Sequence, residues 1–120
     1  MSSDRTSTPP LPGRPVEGSR TGRPINAALD LLSRRWTLRI LWELRDGPRG
    51  FREMRQRCDR MSPDTLTKRI SDLEAAGLVS RDANGQLDVT DIGRRLDPVL
   101  RELYQWSEDW AEGLTTAPER

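Results

Sequence analysis

Histidine is absent from this 120-residue chain, and cysteine occurs once, as Cys58. The first absence removes the commonest general base and metal ligand. The second excludes an internal disulfide and a zinc site, and fits a reducing compartment. No apolar run approaches the ~20 residues that cross a bilayer. The N-terminus lacks the basic-then-apolar order of a secretory leader. A soluble, cytoplasmic chain that does not engage a membrane is the expectation. No glycine-rich loop has phosphate-cradling spacing. Acids are plentiful, but none form an isolated pair in an apolar setting. These absences argue against an enzyme and imply no metal and no cofactor.

What the chain does contain is charge. Hydrophobic residues make up 33% and charged residues 32%, so a single domain with a modest core is expected. Net charge is only +1, but it is unevenly spread. Residues 34–69 hold ten Arg and one Lys against five acids, whereas residues 70–114 hold four Arg against ten acids. A basic middle and an acidic C-terminal third suggest two faces with different jobs, or chance clustering on a solvated surface.

Residues 1–22 are rich in Pro, Ser, Thr, Gly and Arg, with Leu11 and Val16 as the only sizeable aliphatics. Such a segment buries too little surface to offset its ordering entropy, so a disordered tail is predicted. Its arginines could touch a nucleic-acid backbone loosely or simply be solvated. A domain over 23–114 and a flexible end over 115–120 complete the division. A first helix is expected over 24–33, where Ile25, Ala28, Leu29 and Leu32 form one apolar stripe. A second, over 37–45, carries too many large apolar residues for one stripe and is expected to be central. Asp46-Gly47-Pro48 stops it. A third, over 50–57, places Phe51, Met54 and Cys58 on one face and Arg52, Arg55, Gln56 and Arg57 elsewhere.

The stretch 61–89 organises the rest. Ser62 is a candidate N-cap with Pro63 at the first helical position, where a missing N–H costs nothing. The helix that follows, over 63–76, is ~21 Å long. Its apolar face is Leu66, Ile70 and Leu73, and Gly77 stops it. The opposite face is Asp64, Thr65, Thr67, Lys68, Ser71 and Ala75, small or polar residues that let a helix enter a groove about 12 Å wide. Two short helices joined by Asp59-Arg60-Met61 form a helix-turn-helix. Strands over 78–81 and 86–89 flank Asn84-Gly85, a strong hairpin signal. A helix followed at once by a hairpin is the second half of a winged helix-turn-helix, so the fold class is mainly α with a small β-hairpin.

A last helix is expected from a Thr90 or Asp91 cap to about residue 113, with Pro98 either bending it or marking its true start. Its stripe is Ile92, Leu96, Val99, Leu100, Leu103, Trp106 and Trp110. That is more apolar surface than one small body needs, so the N- and C-terminal helices are expected to form a dimer interface with Ile25, Leu29, Leu96, Leu100, Leu103, Trp106 and Trp110 in it. The alternative is that the stripe folds back on its own core.

With these segments in view the chain resembles the HxlR-type winged helix-turn-helix transcription regulators, small bacterial relatives of the MarR group. The resemblance spans about 23–112. It rests on Ala28-Leu29-Asp30-Leu31-Leu32, on Arg35-Trp36-Thr37-Leu38-Arg39-Ile40-Leu41, and on the run from Leu44 to Met54. It continues through Met61-Ser62-Pro63-Asp64-Thr65-Leu66-Thr67, Leu73-Glu74-Ala75-Ala76-Gly77-Leu78-Val79, and Leu87 to Gly93. It implies a homodimer that binds inverted repeats near promoters, more often repressing than activating. The chain departs from the family pattern in three ways. Arg23 stands where thiol-sensing members carry a cysteine, which puts such sensing in doubt. The wing is short and acidic, turning through Asp82-Ala83-Asn84-Gly85. Asp64 and Gly50 stand where basic residues are common; Asp64 either accepts from a cytosine amine or complements the helix dipole.

On this reading phosphate contacts come from Arg49, Arg52, Arg60, Arg69 and Arg81, with Arg69 also able to pair with an internal acid. Base contacts come from Thr65, Thr67 and Lys68, with Ser62, Pro63 and Ser71 beside them. Lys68 is expected to read a guanine edge. A dimer interface lined by Trp36, Trp42, Trp106 or Trp110 could hold a small aromatic effector, or the tryptophans are packing. Cys58 reads as a core residue. A winged helix that binds protein and not DNA is the rival reading.

Overall fold

The computed structural model describes residues 9–13 and 22–116, with the side chain of Thr116 excepted. Six helices and one hairpin follow in order: α1 (Pro24–Ser33), α2 (Thr37–Glu43), α3 (Phe51–Arg57), α4 (Pro63–Ala75), β1 (Val79–Arg81), β2 (Leu87–Val89), α5 (Asp91–Arg94) and α6 (Asp97–Thr116). The core is built by Ile40, Leu41 and Leu44 of α2 and its end, Met54 and Cys58 of α3, Leu66, Ile70 and Leu73 of α4, and Val79 and Leu87 of the hairpin. The second helix is central, as its composition requires.

Local chemistry sets the ends of the elements. Ser62 Oγ accepts the Thr65 N–H at 3.1 Å and Pro63 opens α4. At the other end Gly77 takes φ +80°, and the Gly77 and Leu78 N–H groups donate to the Glu74 and Leu73 carbonyls, each at 3.0 Å. This paired closure consumes orphan carbonyls and delivers the chain straight into β1. The antiparallel hairpin pairs Val79 with Val89 and Arg81 with Leu87. Its turn differs from the two-residue form that Asn84-Gly85 suggests. Only Gly85 has positive φ. Gly85 N–H donates to the Asp82 carbonyl at 2.9 Å, and Asp82 Oδ1 accepts the Asn84 and Gln86 N–H groups. The carboxylate of Asp82 therefore holds the loop, which lets the chain turn with one left-handed residue instead of two. Leu87 also exchanges both backbone hydrogen bonds with Arg49, pinning the wing to the loop before α3.

Of the two alternatives for the last element, Pro98 marking its true start is the one observed. The last element is two helices. Thr90 Oγ1 caps the four-residue α5 by accepting the Gly93 N–H at 3.1 Å, and the chain restarts at Asp97 with Pro98 in the first turn of α6. Part of the expected N-terminal tail is among the described residues. Pro10 is buried, and Gly13 N–H donates to the Gly22 carbonyl at 2.9 Å. Residues 1–8, 14–21 and 117–120 lie outside the described residues, and with them the rest of the expected tail and the end of the expected flexible C-terminus. No helix among the described residues is long and apolar enough to cross a membrane.

Candidate nucleic-acid interface

The helix-turn-helix is formed by α3 and α4 and the tight turn between them. Asp59 and Arg60 sit consecutively in the left-handed region, at φ +58° and +59°. The turn is closed by the Arg60 N–H to the Arg55 carbonyl at 2.7 Å and by Arg55 Nε to the Met61 carbonyl at 2.9 Å. With Leu66, Ile70 and Leu73 buried, α4 presents Ser62, Pro63, Asp64, Thr67, Lys68, Ser71 and Ala75 to solvent. Thr65 is half-buried, and its hydroxyl accepts from Ser62 Oγ at 2.8 Å, which restricts both side chains to the helix start. Lys68 makes no ion pair with a described residue and is the one long cation on this face.

In the preceding helix and turn, Arg52, Arg55, Gln56 and Arg60 surround a polar cavity of about 490 Å3. Arg52 and Arg60 are exposed and have no ion pair among the described residues. Arg55 and Gln56 were readable as candidates from their place opposite Phe51, Met54 and Cys58.

The other predicted cations are placed differently. Arg49 is turned inward: Nε donates to the Glu43 carbonyl and Nη1 to Glu53 Oε2 at 2.8 Å. Arg69 donates to Asp72 Oδ2 at 2.9 Å and is mostly buried, so the internal pairing foreseen for it is the one formed. Arg81 pairs with Glu74 at 3.3 Å. Much of the basic middle is thus an internal network. Glu43 holds Arg39 at 3.0 Å and Arg57 at 3.3 Å, Glu53 also holds Arg57 at 3.3 Å, and Arg39 reaches Asp59 at 3.4 Å. Hydrogen bonds donated to Glu43 raise the pKa of both Arg39 and Arg57, so the network stays charged. These acids lie within 34–69 and are already counted in its balance; from outside that stretch Asp30 and Asp72 offset it further by pairing with Arg34 and Arg69.

The predicted association surface divides in the same way. Ile25, Leu29, Leu103, Trp106 and Trp110 are exposed, and Trp106 and Trp110 stack on each other at 5.2 Å. Val99 and Leu114 extend this apolar stripe along α6. Leu100, by contrast, is 5% exposed within the chain's own core, and Leu96 packs against that core. Leu100 is thus taken up by the chain's own core, and Leu96 is partly buried against it.

An apolar space among the described residues lies away from the tryptophans. A cavity of about 520 Å3 is walled by Pro10, Leu11 and Pro12, by Ala27, Ala28 and Leu31 of α1, and by Leu78, Ile92 and Leu96, with Arg95 at its edge. Trp42 lines a smaller one of about 230 Å3 with Tyr104, which stacks on it at 5.5 Å. Cys58 is fully buried, and burial pushes its thiol pKa up, which opposes sensing by a thiolate. No group of three or more His, Cys, Asp or Glu able to hold a metal ion occurs among the described residues.

Comparison with known proteins agrees with this geometry. Residues 31–114 match the HxlR-like helix-turn-helix family. The chain is 33% identical over 91 residues to the HTH-type transcriptional regulator YvaP of Bacillus subtilis, covering 71% of this chain and 84% of YvaP. It is 29% identical over 94 residues to the regulator YodB of the same organism, covering 73% and 84%. The quinone-bound structure of YodB superposes with a TM-score of 0.65 at 29% identity, over 71% of this chain and 94% of that one. The redox regulator HypR in its reduced form gives 0.67 at 26% identity, over 77% and 97%. With the helix-turn-helix, the wing and the long terminal helix all in place, the chain belongs to the HxlR-like helix-turn-helix family, whose members regulate transcription and are not enzymes.

Proposed function

We propose that this protein is a cytoplasmic, homodimeric transcription regulator, more a repressor than an activator, that binds inverted-repeat promoter sites. One observation carries the reading: α4 exposes Lys68 among small and polar residues, and Arg52 and Arg60 of the same helix-turn-helix are exposed with no ion pair among the described residues. In this reading α4 enters the major groove. Thr67, Lys68 and Ser71 face base edges, with Ser62, Pro63 and Thr65 at the helix start. Arg52, Arg60 and Arg55 contact phosphates, which fix register and supply salt-dependent affinity. Arg49 and Arg69 support the fold, and the wing adds little through Arg81. The exposed stripes of α1 and α6 pair two copies and space two half-sites about 10 bp, or a multiple of that, apart.

Selection from random duplexes tests the reading directly. A palindromic motif is expected, and Lys68→Ala should cost about 1–3 kcal/mol on it while relaxing one base position. No enriched motif at low salt would favour a protein-binding winged helix instead. YodB has been crystallised with a quinone. Here the 520 Å3 cavity is of a size and lining that suit a small aromatic effector held without covalent attachment, since Arg23 precedes Pro24 where a thiol would be needed. Calorimetric titration with small aromatics, repeated on an Ala28→Leu variant to fill the cavity, tests that part.

A further inference from the structure

The 520 Å3 cavity separates α1 from the C-terminal end of α4: Ala27, Ala28, Leu31 and Leu32 stand on one side, Ala76 and Leu78 on the other. Apolar packing at that place does not fix the angle between the two helices. Asp72, one turn before Ala76 on the same side of α4, is only 4% exposed. Two guanidinium groups converge on its Oδ2: Arg69 Nη1 at 2.9 Å and Arg34 Nη1 at 3.5 Å. Arg34 is the residue that ends α1, and its Nη2 lies 4.0 Å from Asp30 in the last turn of that helix. Arg69 Nε is buried without a partner, so the described contact that holds this guanidinium is the one to Asp72. A buried carboxylate needs such partners, and bonds between charged groups are directional where apolar contact is not.

We infer that Asp72 is a positioning residue for operator recognition: through Arg34 it ties the reading helix α4 to the dimer-forming helix α1. The inference rests on the dimeric DNA-binding reading above. In a dimer, the angle between α1 and α4 sets the distance between the two reading helices. Asp72 then governs which half-site spacing is accepted, while Lys68 and its neighbours govern which bases are accepted within a half-site. These two kinds of specificity are separable by mutation.

The test uses the full chain and duplexes carrying the selected half-site as an inverted repeat, with the central spacer varied base pair by base pair. A second panel keeps the best spacer and substitutes single bases. Fluorescence anisotropy reads both. The parent protein is expected to prefer one spacer by about tenfold or more, as the helical repeat of DNA demands. Asp72→Asn should reduce that preference to about threefold or less and leave the ranking of base substitutions unchanged. Arg34→Gln keeps the Arg69–Asp72 pair, so it guards against misfolding, and should flatten the spacer preference in the same direction. Unaltered spacer preference in folded Arg34→Gln overturns the inference, as does loss of base ranking together with spacing. A parent protein that prefers no base sequence at all refutes the proposed function itself; one that ranks bases but ignores spacing refutes the dimer and this inference together.

Discussion

Gly93→Ala probes how the wing is seated on the body. Gly93 is buried in α5, and an added Cβ would stand 3.1 Å from the Leu78 carbonyl carbon and 3.3 Å from its Cα, with the carbonyl oxygen closer still. All three are backbone atoms, so no rotamer change clears them. Restoring ordinary carbon contacts of ~3.5–4 Å requires α5 or the root of β1 to retreat by about 1 Å. The same Leu78 carbonyl accepts the Thr90 N–H at 3.0 Å, and Thr90 Oγ1 donates to the Gly77 carbonyl at 2.6 Å. Such a shift weakens both bonds. Overpacking costs about 1–3 kcal/mol and each compromised hydrogen bond about 1 kcal/mol, less up to ~1 kcal/mol from the better helix propensity of alanine. A net loss of about 3–4 kcal/mol is expected, a large share of a typical ~5–15 kcal/mol. At about 4–8 °C per kcal/mol the melting temperature should fall by ~12 °C or more. Circular dichroism during heating and in urea measures it. A melting temperature within about 3 °C of the parent would refute the argument that a backbone–backbone approach requires glycine there.

Other expectations are narrower. Ser62→Ala removes the cap on α4 and should cost about 1 kcal/mol in urea melts, with DNA affinity falling by more than stability alone explains if the hydroxyl also faces DNA. Arg60→Gly relieves a left-handed backbone and should change stability by no more than ~1 kcal/mol, in the favourable direction, while lowering the slope of log affinity against log salt by about 0.9. Arg52→Ala should lower the same slope by a similar amount without any gain in stability; an unchanged slope removes it from the footprint. Native Cys58 should resist a thiol reagent at neutral pH and react on unfolding. Its folded pKa is raised, so it ionises first in the unfolded chain, and its contribution to stability declines as pH climbs past about 8.5. A Cys58→Ala variant that keeps the parent's alkaline loss of stability would assign that loss elsewhere.

Much of the fold was readable because its punctuation is local. Pro24 and Pro63 open helices, Gly77 closes one, and Thr90 and Ser62 cap through their own side chains, all within a few residues of the end they define. The face of α4 was readable for the same reason, since a 3.6-residue period sorts Lys68 from Ile70 without tertiary knowledge. What was not readable depended on partners far along the chain. Arg57 looks available until Glu43, on another helix, is placed beside it. Leu100 and Leu103 share one apolar stripe, and only the position of the core shows that the first is buried and the second exposed. Asp72 looks like a surface acid in a polar helix until Arg34 arrives from 38 residues away.

The long terminal helix is used unevenly. Its root is clamped by Leu96 and Leu100 in the core, by Tyr104 stacked on Trp42, and by Arg101 at 3.9 Å from Asp46. Trp106, Trp110 and Leu114, further along, are each more than half exposed. Substitutions there should leave the folding equilibrium within about 0.5 kcal/mol. A face that folding does not use is a face that selection can rewrite alone. On the dimeric reading proposed above, partner choice among duplicated copies of such a gene can diverge at positions 106, 110 and 114 while the proposed DNA-facing half stays the same. One helix thus keeps the heritable record of fold and of company in separate residues.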